Sequence, residues 1–358
     1  MPIPTEPIGS IPRPASLVDA LRGFAEGRVS QSELEAATAA ALRDTISKFE
    51  ATNSPIITDG EQAKPSFATY PVHGSPNLAP DGAAIPFADG HTRQLPRLTA
   101  GPFRYSVYAS SYLTAAQRFT RKPLKQAVIS ASALSLLYSG DGIPSYSREQ
   151  FLNDLIREAE TDIRSCLQSG AASVQIDFTE GRLAVKLDPS LQLLEQFVSL
   201  NNRVLEAFSQ EERRHIGVHT CPGGDLDSTH SADVDYADLL PSLFKLQVTN
   251  FYIQLASEKN RPRVLALIRD NLRPDQRAFV GVIDPINPRL ETAEEVCSRV
   301  LEAAEYIPLD QLGTTDDCGF APFSDDTSTS RDLAFEKIRA RIAGTTLASE
   351  RLSGQNRR

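Results

Sequence analysis

Short apolar or β-branched runs alternate along the chain with longer stretches in which apolar residues recur every three or four positions. The short runs read as strands at residues 6–11, 55–58, 124–130, 173–177, 215–219, 250–254, 278–283 and 307–313. The longer stretches read as amphipathic helices at 31–51, 148–169, 190–208, 235–246, 262–271, 292–306 and 331–343. Ser30 with Glu33 and Ser147 with Gln150 have the spacing of capping boxes, which fixes two of the helix starts. Strands that alternate with helices predict parallel β-α units, and eight of them predict an α/β fold closed as a (β/α)8 TIM barrel.

Residues 62–120 break the rhythm and form a long insertion after the second strand. Within it, 94–100 and 103–109 flank Gly101-Pro102, which predicts a β-hairpin lying over the barrel mouth. The expected organisation is a single catalytic barrel over 1–346, with 347–358 as a polar C-terminal tail.

Composition narrows the chemistry. The 358 residues carry 37 Lys and Arg against 46 Asp and Glu, a net charge of −9, so a basic footprint for nucleic acid or an anionic membrane is not expected. No apolar run approaches a membrane span, and the opening Met-Pro-Ile-Pro-Thr-Glu-Pro has neither the cationic nor the apolar region of a secretory signal. Four scattered cysteines are too few for a disulfide framework, so a cytoplasmic, reducing setting and a small-molecule substrate are expected.

Barrel enzymes place their chemistry just past the C-terminal ends of the strands. Reactive residues fall there repeatedly: Ser10, Glu61, Asp177, His219 with Cys221, Gln254, Asp284 and Cys318. His219 and Cys221 are two apart on an extended segment and so point to one side, and imidazole nitrogen plus thiolate is a donor set that zinc prefers. Read alone, the pair is also compatible with a core histidine and a small buried hydrophobe. Cys318, in a loop on the closing strand, shifts the balance toward a metal. Glu61 and Asp177 suit recognition of an amino group, and equally suit structural pairing with a nearby arginine. Cys166 and Cys297 lie in helical patterns and are assigned to packing, and His73, His91 and His230 to solvated loops.

Five motifs occur in a fixed order: Ile8-Gly9-Ser10-Ile11-Pro12, Asp59-Gly60-Glu61, Gln175-Ile176-Asp177, Val218-His219-Thr220-Cys221 and Asp317-Cys318-Gly319. With Leu95-Pro96-Arg97 to Gly101-Pro102 in the insertion, they resemble the catalytic barrel of the cobalamin-independent methionine synthase family, from Ile8 to about Ile342. The resemblance implies a zinc-dependent methyl transfer to a thiol such as homocysteine, from a folate or corrinoid donor. It implies zinc on His219, Cys221 and Cys318, with Gln254 as a possible fourth position. Glu61 and Asp177 would then hold the substrate ammonium, and Ser10 its carboxylate. The sequence departs from the family pattern in three respects: Gln254 replaces a glutamate ligand, the segment 284–289 lacks a histidine that serves as proton donor, and the resemblance covers one barrel. Other readings are a different zinc-thiol alkyl transfer, a metal-independent decarboxylase or lyase on the same fold, and a ligand-binding protein without turnover.

Overall fold

The computed structural model describes residues 2–355. Six parallel strands form its central sheet: β1 (Lys125–Ile129), β2 (Ser173–Asp177), β3 (Ile216–Thr220), β4 (Asn250–Ile253), β5 (Arg277–Ile283) and β6 (Leu312–Asp316). They lie in strict chain order, each paired in parallel with its predecessor. Every strand residue except Arg277 is buried, as expected of a parallel sheet covered on both faces. The α/β class is therefore as predicted, with mixed helices around a parallel sheet.

The first two predicted strands are much reduced. Thr5 makes an isolated bridge to Thr314 at one edge of the sheet and Ile57 one to Leu124 at the other. Between them, the Thr58 hydroxyl donates to the Gly9 carbonyl at 2.8 Å and the Ile11 N–H to the Gly60 carbonyl at 3.0 Å. Pro4, Pro7, Pro12 and Pro55 supply no N–H, so these segments cannot carry a continuous ladder. In place of the eight strands expected there are six regular ones, with two bridged segments at the sheet edges. The last strand also lies later than predicted, at Leu312–Asp316, because the preceding helix ends at Ala304, the Ile307 N–H is turned back to the Ala303 carbonyl at 3.0 Å, and Pro308 opens a turn.

The capping boxes at Ser30 and Ser147 are present, each with both reciprocal hydrogen bonds. Replacing Ser147 by alanine is expected to lower unfolding stability by about 1 kcal/mol, measured by denaturant titration, with a native circular dichroism spectrum. The helix Arg331–Gln355 outruns its predicted end at 343 and takes in most of the expected polar tail; 356–358 lie outside the described residues. Small polar residues hide its packing face: Thr345 meets Thr314 at 2.8 Å, and the Ser349 hydroxyl accepts the Ile3 N–H at 3.0 Å.

The insertion does contain a hairpin, but not across Gly101-Pro102. Ala84–Pro86 pairs with Thr92–Gln94, and Leu78–Ala79 with Arg97–Leu98. Its turn is Asp89-Gly90, where Gly90 has φ +95° and the Phe87 N–H reaches the His91 carbonyl at 2.9 Å. Residues 103–109 form no strand: Phe103 packs edge-on against Phe151, their ring centroids 5.1 Å apart. Among the described residues no helix is long and apolar enough to cross a membrane.

Candidate metal and amino-acid site

The sheet register places Asp177 beside His219, and His219 beside Tyr252, on three consecutive strands. His219 is buried, and its Nδ1 lies 3.2 Å from the Tyr252 carbonyl. A carbonyl only accepts, so Nδ1 carries the proton and Nε2 presents a lone pair. Nε2 has no partner among the described residues. Immediately after β3, the Cys221 sulfur lies 3.3 Å from that of Cys318, and the three potential ligand atoms are all within 4.8 Å of one another. The contact with Cys221, and then burial, push the Cys318 thiol up, so without a cation this sulfur stays protonated. An orphaned imidazole nitrogen facing two sulfurs fits zinc, whose catalytic sites use three protein ligands and keep one position open.

Asp317 sets the position of Cys318. One of its oxygens accepts the N–H groups of Leu255 and Ala256 at 2.8 and 2.7 Å, and the other accepts the Ser257 N–H at 2.8 Å and hydroxyl at 2.7 Å. The loop after β6 is thereby tied to the loop after β4. A Cβ on Gly281 would lie 1.9 Å from the Asp317 carboxylate, so this strand passes too close for any side chain.

Gln254 does not join the three ligands. Its carbonyl oxygen accepts from Arg182 at 2.9 Å and from the Tyr236 hydroxyl at 2.8 Å, and its amide donates to Ser257 at 2.6 Å. Both acceptor positions are used, which corrects the expectation of a fourth position there. Glu258 is held by Arg182 at 3.0 Å, and Asp225 is engaged by Arg93 and His91, so neither carboxylate takes its place.

Ser10, Glu61, Asp177, His219 and Cys318 line one small pocket. The Ser10 hydroxyl oxygen accepts the Ala321 N–H at 3.2 Å, which leaves its proton free to donate. Glu61 adopts φ +55°, an uncommon backbone for a non-glycine residue. It is held there by its N–H on Asp59 at 2.9 Å and by Arg13, which donates to its carbonyl at 2.7 Å. The Glu61 side chain is not paired with an arginine; it accepts from Lys64 at 2.9 Å, and Lys64 also donates to the Ala127 carbonyl at 2.8 Å. Burial opposes the charge on Lys64, but Glu61 and Asp59 outweigh it and hold the ammonium above its ordinary range. Asp177 makes no ion pair among the described residues; burial, then the charge of Glu61, push it up to about 6.

The sequence reading missed Lys64, Asp59, Arg13 and Arg182. The spacing of Lys64, three residues after Glu61, was the one available signal. Cys166 and Cys297 are buried in helices, as expected. His73 is exposed, whereas His230 is buried and His91 stacks on Phe87 at 4.3 Å between ring centroids, so neither of those two is simply solvated.

An imidazole and two sulfurs thus converge beside carboxylates at one end of a parallel α/β sheet, and comparison with known proteins gives the lineage. The family described as cobalamin-independent synthase, catalytic domain, matches residues 3–334, and the chain belongs to that family. Methionine synthases of Sulfurisphaera tokodaii and Saccharolobus solfataricus are each 21% identical to it, over 353 and 350 residues. Those alignments cover 99% and 98% of this chain and 94% and 96% of the relatives. The structure of a B12-independent methionine synthase from Shewanella sp. W3-18-1, in complex with selenomethionine, has the same fold. It matches with a TM-score of 0.78 at 19% identity, over 99% of this chain and 100% of its own. A methyltransferase from Methanosarcina mazei matches with a TM-score of 0.52 at 12% identity, over 98% of this chain and 94% of its own.

Proposed function

We propose that the protein methylates the thiol of homocysteine, with a zinc ion on His219, Cys221 and Cys318 and a methylated folate as donor, in a reducing cytoplasm where both cysteines stay available as ligands. The observation that carries this reading is the convergence of three zinc-type donor atoms within 4.8 Å, at the wall of a pocket that also holds Ser10, Glu61 and Asp177. Zinc bound there supplies a Lewis acid that keeps a substrate sulfur ionised near neutral pH.

The chain's own residues do the rest. The Tyr252 carbonyl fixes the tautomer and tilt of His219. Glu61 and Asp177 set two carboxylates in the pocket wall against the single ammonium of Lys64, so the pocket favours one more cation, which is the α-ammonium of the amino acid. Ser10 offers its hydroxyl proton to the α-carboxylate. Held at both ends, the substrate directs its thiol toward His219 and Cys318, which is catalysis by positioning. A metal-independent decarboxylase or lyase would leave the nitrogen and two sulfurs converging without a role.

Protein purified without chelator is expected to contain about one zinc per chain and to form methionine from homocysteine and N5-methyltetrahydrofolate. Metal-free, well-folded protein with no thiol methylation from either that folate or methylcobalamin would overturn the proposal.

A further inference from the structure

The opposite end of the sheet, where its strands begin, carries a separate cavity of about 670 Å³. Its wall is drawn from the segments that lead into β3, β4, β5 and β6, at 210–214, 247–250, 273–277 and 310–311. In a chain of net charge −9, four arginines meet there, Arg213, Arg214, Arg273 and Arg277, against two acids, Asp275 and Asp310. Val248 and Pro274 are the only apolar residues of the wall among the described residues, so the cavity holds a ligand by charge and hydrogen bonds and not by apolar burial.

Two of the four guanidiniums already have a carboxylate. Arg214 pairs with Glu211 at 2.7 Å, and the Arg273 Nε lies 3.7 Å from Asp275. Arg213 and Arg277 are partly buried and make no ion pair among the described residues. Arg213 donates from Nε to the Leu205 carbonyl at 3.1 Å and from one terminal nitrogen to Gln247 at 2.7 Å. Arg277 donates from one terminal nitrogen to the Asp310 carbonyl at 3.3 Å, and its Nε, cut off from solvent, has no partner among the described residues. A guanidinium withdrawn from water without a counter-ion is unfavourable, and a bound anion relieves it.

Amide side chains tie down the segments that carry these arginines. Asn250, buried at the start of β4, donates to the Arg214 carbonyl at 3.1 Å. The Arg273 N–H donates to the side chain of buried Gln276 at 3.0 Å, and Gln311 donates to the Arg273 and Gln276 carbonyls at 2.7 and 2.8 Å. The Arg273 side chain is itself anchored on the Phe244 carbonyl at 2.7 Å. The register sets the span: Asn250 lies beside Gly217 on one side and Arg277 on the other, so the starts of β3 and β5 are about 10 Å apart. Positive charges spread over that width match an anion with several charged centres in a row better than one compact oxyanion.

We propose that this cavity is a polyphosphate-binding site, which takes a linear triphosphate either free or as the tail of a nucleoside triphosphate. The terminal nitrogens of Arg213 and Arg277 left without a protein acceptor supply the paired N–H donors that phosphate oxygens accept. None of these residues belongs to the metal and amino-acid site, so the inference stands apart from the methyl-transfer reading and is tested by binding, not turnover.

Titration calorimetry on the full-length protein, in magnesium-free buffer, compares inorganic triphosphate, ATP and sulfate. One triphosphate per chain is expected with a Kd below about 100 µM, and sulfate weaker by about 100-fold or more. Arg213→Gln and Arg277→Gln should each weaken triphosphate by about tenfold or more, whereas Arg339→Gln, at an exposed site on the last helix, should change it by less than about twofold. ATP binding tighter than triphosphate assigns the site to a nucleotide, and triphosphate binding tighter than ATP to a free polyphosphate. Because polyphosphates also chelate metals, the place of binding is read on the wild-type protein by amide hydrogen exchange. Triphosphate should slow exchange at 213–215 and 273–277 and leave 221–231 and 317–319 unchanged. No saturable binding below about 1 mM, sulfate as tight as triphosphate, undiminished binding in both arginine variants, or protection confined to 221–231 and 317–319 would overturn the proposal.

Discussion

Changing Cys318 to serine is expected to remove bound zinc and to lower homocysteine methylation on the order of a thousandfold or more. A metal acting as Lewis acid contributes several kcal/mol at the transition state, and each ~1.4 kcal/mol is a factor of ten. Three donor atoms converge on the centre, and Gln254, Glu258 and Asp225 are all committed to other partners, so nothing nearby can replace a lost ligand. A serine hydroxyl stays protonated where a cysteine thiol ionises, and is a far poorer zinc ligand. The fold should survive, because four hydrogen bonds to Asp317 hold the loop independently of the sulfur. The check is metal analysis by plasma emission on folded protein, alongside turnover. Normal activity in zinc-free Cys318→Ser would end the zinc mechanism.

The second large effect falls on stability. Glu61→Ala should cost about 3–5 kcal/mol, because it leaves the Lys64 ammonium, 1% exposed, without its carboxylate. The double change Glu61→Gln with Lys64→Met should regain most of that loss, since removing both charges avoids the unpaired ion. It should not restore affinity for homocysteine, because the pocket wall then offers the substrate ammonium the carboxylate of Asp177 alone in place of Glu61 and Asp177 together. Denaturant titration and a substrate-binding isotherm on the three proteins separate these effects. A Glu61→Ala variant as stable as wild type would show that Lys64 is solvated and the ion pair inconsequential.

How much of this could be read from the chain follows from where each signal is local. Strands such as Arg277–Ile283 and Asn250–Ile253 announce themselves because burial on both faces demands a nearly unbroken apolar run. The grouping of His219, Cys221 and Cys318 was legible because a metal-type donor set restricts residue type and the strand restricts direction. The segment around Thr5 was not, because its prolines decide against a ladder that its apolar residues would otherwise support. The hairpin was misplaced because Gly101-Pro102 drew attention from Asp89-Gly90, the stronger turn signal. Lys64 and Arg182 escaped because long basic side chains are ordinarily solvated, and only the three-dimensional gathering of carboxylates and carbonyls explains their burial. Gln254 stood out as an altered ligand, but the contacts that occupy it come from Arg182 and Tyr236, which no spacing rule connects to it.

Because each strand of the sheet lies beside its predecessor in the chain, the centre is also ordered in time during synthesis. His219 and Cys221 leave the ribosome together, but their third companion follows 97 residues after Cys221. The loop that aims it is tied down by Leu255, Ala256 and Ser257, and the neighbouring Ser10 belongs to the first segment made. A nascent chain that stops short of Cys318 holds an incomplete chelate. On the zinc reading proposed above, metal loading would be a late event, coincident with docking of the last strand.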